Sequence, residues 1–217
     1  MRDWLCSHYY LLCAGLILLG SAVFLWYLAR RVRMKDMIMI TVLSAIIAIS
    51  RGVFFWLPQF KPVSALVLIA GSCFGSVPGM LIGMLSGFLS DFMTGALSAV
   101  ISNFYFGQGP WTPFQMFSWG LIGVIGGFCR HMQGKVLPMI IGFLAAVFVY
   151  GPILNFSSLL LMTETPTWKG FWIMEASGIW FDVVHGVSTI VFVYFAWKPM
   201  RKKLVRMQEK YGICRRK

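Results

Sequence analysis

Apolar residues fall in long blocks along this chain, and most blocks approach the length needed to cross a hydrocarbon layer roughly 30 Å thick. Tyr9 to Leu28 is the first, a run of about 20 residues. A cleaved signal peptide would have a shorter apolar core and a positive start. Here the positive cluster follows the run, so the pattern predicts a retained helix. Met37 to Trp56 predicts a second helix, ended by Pro58 and Pro62, which lack the N–H a helix needs. Val63 to Phe74 predicts a short third span turning at Gly75-Ser76-Val77-Pro78. Gly79 to about Thr94 predicts the next, followed by a long and partly helical outer segment from Gly95 to Pro113. Phe114 to Phe128, Val136 to Leu160 and Ala176 to Trp197 bring the total to seven spans.

Composition narrows the class without changing this picture. With 59% hydrophobic and 12% charged residues in 217, the chain cannot close a soluble core behind a polar shell. The expectation is an all-α polytopic membrane protein in three parts. Residues 1–36 form an extra N-terminal helix with a basic turn, 37–200 a six-helix core, and 201–217 a basic tail. The net charge of +12 is explained by position. Four basic residues lie in Arg30–Lys35, two more are Arg130 and Lys135, and nine follow residue 197. Only Arg2, Lys61 and Lys169 fall in segments on the opposite side, with Arg51 inside a span. Basic excess marks cytoplasmic flanks, so the N-terminus is expected outside and the C-terminus in the cytoplasm of a cell membrane. The tail reads as an anchor near anionic lipid, not as a nucleic-acid arm.

Candidate chemistry gathers toward the expected outer side. Phe104 to Gly127 begins as a loop broken by glycine and proline and becomes a helix. It sets Gln108, Trp111, Thr112 and Gln115 among six aromatic rings between Phe104 and Phe117. Irregular backbone at membrane depth is tolerated where protein buries it or a cavity hydrates it, so the loop is either a binding lid or an interfacial aromatic belt. Arg51, Asp91, Asn155 and Asp182 each lie near the outer end of a span, Asn103 belongs to the loop, and His185 sits deeper. Charges at such depth face a bundle interior or a wet cavity and have partners. Arg51 and Asp182 are expected to pair, while Asp91 either contacts ligand or caps the next helix. Together these residues describe an outward-opening pocket, with Arg51, Lys61, Asn103, Gln108, Trp111, Gln115, Asn155, Trp180 and Asp182 as its substrate-binding residues.

Glycines recur every fourth residue at Gly71, Gly75, Gly79, Gly83 and Gly87. Gly79, Gly83 and Gly87 then share one helix face, which is either a sliding surface or tight packing. Ser44 and Ala48 form a weaker small-residue pair with the same two readings. Cys6, Cys13, Cys73, Cys129 and Cys214 are too scattered for a zinc site or a disulfide framework and read as packing residues. No phosphate loop, His-Glu-x-x-His or Gly-x-Ser-x-Gly occurs, so no catalytic residue and no metal ligand is assigned.

Three stretches carry a resemblance. Phe55-x-Leu-Pro-x-Phe-Lys-Pro-Val, Ala65-Leu-Val-x-Ile-Ala-Gly-x-x-Phe-Gly, and the Gly107–Pro113 block Gly-Gln-Gly-Pro-Trp-Thr-Pro resemble the substrate-specificity (S) components of energy-coupling factor (ECF) transporters. The resemblance spans roughly residues 37 to 200. It implies six helices and capture of a vitamin or its precursor by outer loops. It also implies docking onto a transmembrane coupling protein with two ATPases of the ABC type, followed by toppling in the membrane. ATP is then used by the partners, and this chain binds no cofactor. The family's Ala-x-x-x-Ala coupling motif has Ser44-x-x-x-Ala48 as its nearest match, so the coupling residues expected here are Ser44, Ala48, Gly79, Gly83 and Gly87. The Gly107–Pro113 block resembles the cobalamin-type branch. The alternatives are an S component for another vitamin, a stand-alone carrier, and a lipid-modifying enzyme built on Asp91, Asp182 and His185.

Overall fold

The computed structural model describes residues 2–29, 32–102, 109–163 and 166–214, with side chains described from Tyr9 onward except in 97–102. All of it is helical bundle. In chain order the helices are α1 (Arg2–Ala29), α2 (Met34–Val53), α3 (Val63–Phe74), α4 (Ser76–Ser102) and α5 (Thr112–Phe128). They continue as α6 (Val136–Ala145), a π-helical turn (Ala146–Tyr150), α7 (Gly151–Met162) and α8 (Trp168–Tyr211). Five stretches are long and apolar enough to cross a membrane: Tyr9–Ala29, Met34–Val53, Ser76–Ala96, Val136–Met162 and Trp168–Tyr211. α3, with 12 residues, and α5, with 17, are shorter, about 18 and 26 Å at the α-helical rise. Asn103 and Gln108 lie outside the described residues.

Local sequence sets the boundaries. Asp36 accepts the backbone N–H of Arg33 at 3.3 Å and so caps the start of α2. One residue, Gly75 at φ 97°, divides α3 from α4, a conformation that suits glycine. Pro78 lies inside the first turn of α4, where no intrahelical N–H is required. The expected turn of four residues is therefore a one-residue break. Thr167 caps α8 by accepting the Gly170 N–H at 3.0 Å, and Gly212 at φ 61° ends it. Pro152 has no N–H to donate one turn back, and the chain widens over Ala146–Tyr150 immediately before it.

Two expected boundaries are refined. α4 runs unbroken to Ser102, so the segment expected to be partly helical after Thr94 starts as a continuation of it. Asp91 is therefore mid-helix and caps nothing. α8 continues past Trp197 through Pro199 to Tyr211, so the basic stretch begins as part of the last helix.

The core runs through Ile47, Leu68, Ile82, Trp119, Ile122, Val193 and Trp197, contributed by α2, α3, α4, α5 and α8. Glycine sets the spacing between α4 and α5. A methyl group on Gly83 would collide with the Trp119 carbonyl, and one on Gly123 with the Gly79 carbonyl. Gly79 and Gly87 face α5 in the same seam, and Ser44 and Ala48 are fully buried. Ser44 donates to the Ile40 carbonyl at 2.8 Å and lies 3.2 Å from that of Ile82. All five positions expected to couple to a partner are thus turned inward in this structure, where they allow close helix approach. Cys13, Cys73 and Cys129 are buried and unbridged.

α1 stands apart from this core. An apolar groove of about 770 Å³ lies between it and α5 and α7, lined by Leu12, Leu16, Phe117, Ile153 and Phe156. A second, of about 340 Å³, separates it from α2 and α4. We call the end of the bundle where α2 meets α3 and α5 begins its upper end. At the lower end, Tyr211–Cys214 grips the turn between α1 and α2. The Arg33 guanidinium donates to the Gly212 carbonyl and the Lys35 ammonium to that of Tyr211. The Cys214 N–H donates to buried Asp36 at 2.7 Å. Arg201 donates to the carbonyls of Arg130 and Met132, tying α8 to the turn after α5.

Candidate functional site

The last turn of α2 carries Arg51 into the upper part of the bundle, and α4 presents Ser90 and Asp91 at the same height. Arg51 Nη1 lies 2.5 Å from Asp91 Oδ1 and 2.9 Å from Ser90 Oγ. The Asp91 side chain is 2% exposed. Burying such a carboxylate is costly unless its oxygens are satisfied, and α5 supplies the remaining donors. Pro113 in the first turn of α5 fixes its start, which places Thr112 and Gln115 on one face, three residues apart. Thr112 donates its hydroxyl to Asp91 Oδ2 at 3.0 Å. With the Gln115 amide oriented to satisfy both its ends, its nitrogen donates to Asp91 at 3.1 Å and its oxygen accepts from Arg51 Nη2 at 3.1 Å. Four side chains on three helices therefore neutralise one another.

Below the pair runs a stack of rings. The Arg51 guanidinium lies 5.2 Å from the Trp119 ring centroid, one helical turn after Gln115. Trp119 stacks on Tyr150 at 5.5 Å, and Tyr150 on His185 at 4.5 Å. The π-helical turn delivers Tyr150 into this stack, as such turns often do at functional positions. Ser64 joins both ends: it accepts from Trp119 Nε1 at 3.2 Å and lies 2.6 Å from His185 Nε2. Indole N–H only donates. The arrangement that satisfies every group has Ser64 donating to Nε2 and the His185 Nδ1–H facing Gln59 Oε1 at 3.5 Å. Gln59 is held at φ 55°, a region other residues than glycine seldom occupy.

Two further groups flank the pair. Asn155 on α7 donates to Asp182 on α8 at 3.0 Å. A methyl on Gly151 would come within 2.5 Å of the Asp182 carboxyl carbon, so α7 and α8 meet closely there. In the connection between α2 and α3, Lys61 Nζ lies 3.5 Å from the Phe55 carbonyl, and Ser188 donates to the Lys61 carbonyl at 2.8 Å. Burial, with a smaller contribution from the Arg51 charge, lowers the Lys61 ammonium to about 8.

The expected partnership of Arg51 with Asp182 is corrected. Arg51 pairs with Asp91, because the unbroken α4 brings that carboxylate sideways to Arg51, whereas Asp182 is taken by Asn155. Gln115 joins the Arg51 group, Asn155 and Asp182 meet each other, and Lys61 lies in the neighbouring connection. Trp111 sits at the turn before α5 and is 37% exposed. Trp180 and Trp172 are 69% and 66% exposed, and Trp168 lines the apolar groove beside α1, so these three rings do not cover the polar centre. Ser64, Ser90, Trp119, Tyr150 and Gln59 were not among the expected site residues. Trp119 was legible, since it follows Gln115 by one turn. Tyr150 was not, because a π-helical turn shifts the face on which it emerges. Among the described residues no group of three or more His, Cys, Asp or Glu could hold a metal ion.

Comparison with known proteins adds one match. Residues 35–204, more than three quarters of the chain, match the family described as ECF transporter, substrate-specific component. No curated protein and no solved structure matches the chain.

Proposed function

Since the chain belongs to the family of ECF transporter substrate-specific components, we propose that it captures a vitamin from outside the cell, and that the vitamin is cobalamin or another corrinoid. Membership makes it a transport component, not an enzyme, which removes the lipid-modifying alternative. As the family implies, it would deliver its substrate with a transmembrane coupling protein and two ATPase subunits that consume ATP.

The observation that carries the corrinoid reading is the neutralised state of Arg51. Its charge is already matched by Asp91, with Nε left unbonded, so an anionic vitamin would depend on Lys61, whose ammonium burial disfavours. The site also carries amide and hydroxyl groups in Gln115, Thr112 and Asn155, which would exchange their present partners for a large ligand edged with amides. The Gly107–Pro113 block, similar to that of the cobalamin-type branch, supports the same reading. Calorimetric titration of the purified chain is expected to show saturable binding of cobalamin and cobinamide. Binding of a small vitamin such as biotin or a queuosine precursor, with neither corrinoid bound, would replace this substrate and keep the transport role.

We further propose that α3 and α5 complete seven crossings, with the upper end outside and the lower end cytoplasmic. The distribution of basic residues supports this orientation. In single-cysteine variants, an impermeant thiol reagent applied to intact cells is expected to label Ser7→Cys and spare Tyr211→Cys. The reverse pattern overturns the orientation.

A further inference from the structure

We propose that Tyr9 is a positioning residue for the candidate site, so that α1, which precedes the matched segment, is a working part of it. Tyr9 is 4% exposed although α1 as a whole stands off the bundle between two apolar grooves. Its hydroxyl donates to the Pro110 carbonyl at 2.5 Å and lies 3.3 Å from Ser157 Oγ on α7. Its ring stacks on Phe114 at 5.6 Å between centroids, and Cys13, one turn along α1, directs its thiol to the same Pro110 carbonyl at 3.7 Å.

Pro110 lies in the middle of the turn that leads to the buried pair. The Thr112 N–H donates to the Gly109 carbonyl at 3.0 Å, and the Gly109 N–H to Thr112 Oγ1 at 3.1 Å. That same Thr112 oxygen donates to Asp91. Hydrogen bonds and the short backbone of the 109–112 turn therefore link Tyr9 to Asp91 and Arg51. Phenylalanine would fill the same space but leave the Pro110 carbonyl without this donor. Tyr9 is thus a latch: it keeps the turn closed so that Thr112 stays on Asp91, and releasing it loosens the upper cover of the site. That this cover slows the escape of a ligand rests on the function proposed above.

Hydrogen exchange of the full-length protein in nanodiscs tests the latch without any ligand. In Tyr9→Phe, amides of the segment 109–116 are expected to exchange about five- to tenfold faster, the effect of losing one hydrogen bond, while α3 and the lower end are unchanged. Ser157→Ala, which leaves the Pro110 bond in place, is expected to leave that segment at the wild-type rate. Faster exchange confined to α1, or no change at 109–116, would mean that Tyr9 only holds α1 against the bundle, and the proposal falls. With cobalamin as probe, dissociation from Tyr9→Phe is expected to quicken by a similar factor. If cobalamin does not bind the wild-type chain, the substrate reading falls and the exchange data still decide the role of Tyr9.

Discussion

Arg51→Ala will destabilise the folded protein by about 3–5 kcal/mol, and adding Asp91→Ala will recover part of that loss. The single change strands the Asp91 carboxylate at 2% exposure with only Thr112 and Gln115 as donors. The second change removes the stranded charge, so the two effects will not add. Melting of the purified variants in detergent measures the cycle. Asp182→Ala combined with Arg51→Ala serves as the comparison. Those two effects should add, because Asp182 is bonded to Asn155 and not to Arg51. Additivity in the Arg51 and Asp91 cycle would show that the pair contributes nothing as a pair. The Arg51 variant should also lose ligand binding, since the same guanidinium holds Gln115 in place and roofs the Trp119 ring.

Gly83→Val will do comparable or greater damage by a different route. The first atom of any side chain at Gly83 meets the Trp119 carbonyl, which is backbone and cannot rotate aside. α4 and α5 must then separate along the seam that also contains Gly79, Gly87 and Gly123. Overpacking costs typically about 1–3 kcal/mol and more where backbone must move. We expect loss of the monodisperse peak in size-exclusion chromatography or a melting transition displaced strongly downward. Gly15→Ala is the matched control. No atom lies within 4 Å of a methyl group placed there, and alanine is the better helix former, so that variant should be as stable as wild type. A Gly83→Val protein that melts like wild type would mean that the seam is not tight.

These two experiments bear on what a sequence can disclose. The apolar blocks located the helices well, because length and hydropathy are properties of each segment by itself. α2, α3 and α5 lie close to their expected positions, and Gly75 was correctly a breaking point. The errors arose where the outcome depends on contacts between segments. Helix after Thr94 was expected in part, but not that it would join α4 without a break; its upper turns extend a ladder that the earlier turns have already nucleated. The Arg51 partner was missed for a related reason. Asp91 and Asp182 were both expected near the outer ends of their spans, and choosing between them requires the relative heights of α2, α4 and α8. Those heights follow from tertiary packing, including the glycine seam. Thr112 and Gln115 were legible as polar residues in an aromatic segment, and their spacing of three already implied a common target. The Trp119–Tyr150–His185 stack was hidden because one of its rings is placed by an irregular turn.

The grip at the lower end has a consequence for the order in which this molecule comes together. Cys214 and Asp36 are 178 residues apart in sequence, so their contact closes nearly the whole chain into a loop. The ribosome delivers α1 and α2 long before Tyr211–Cys214 exists, and until then Asp36 has Arg33 but not the Cys214 N–H as a partner. Loop-closure entropy grows only slowly with length, so the long wait adds little thermodynamic penalty, but it fixes the sequence of events. α1 and α2 are made with the turn between them still open at Asp36, and the Cys214 contact can form only after α8 has been made. The lower end is therefore a late-closing contact between distant parts of the chain.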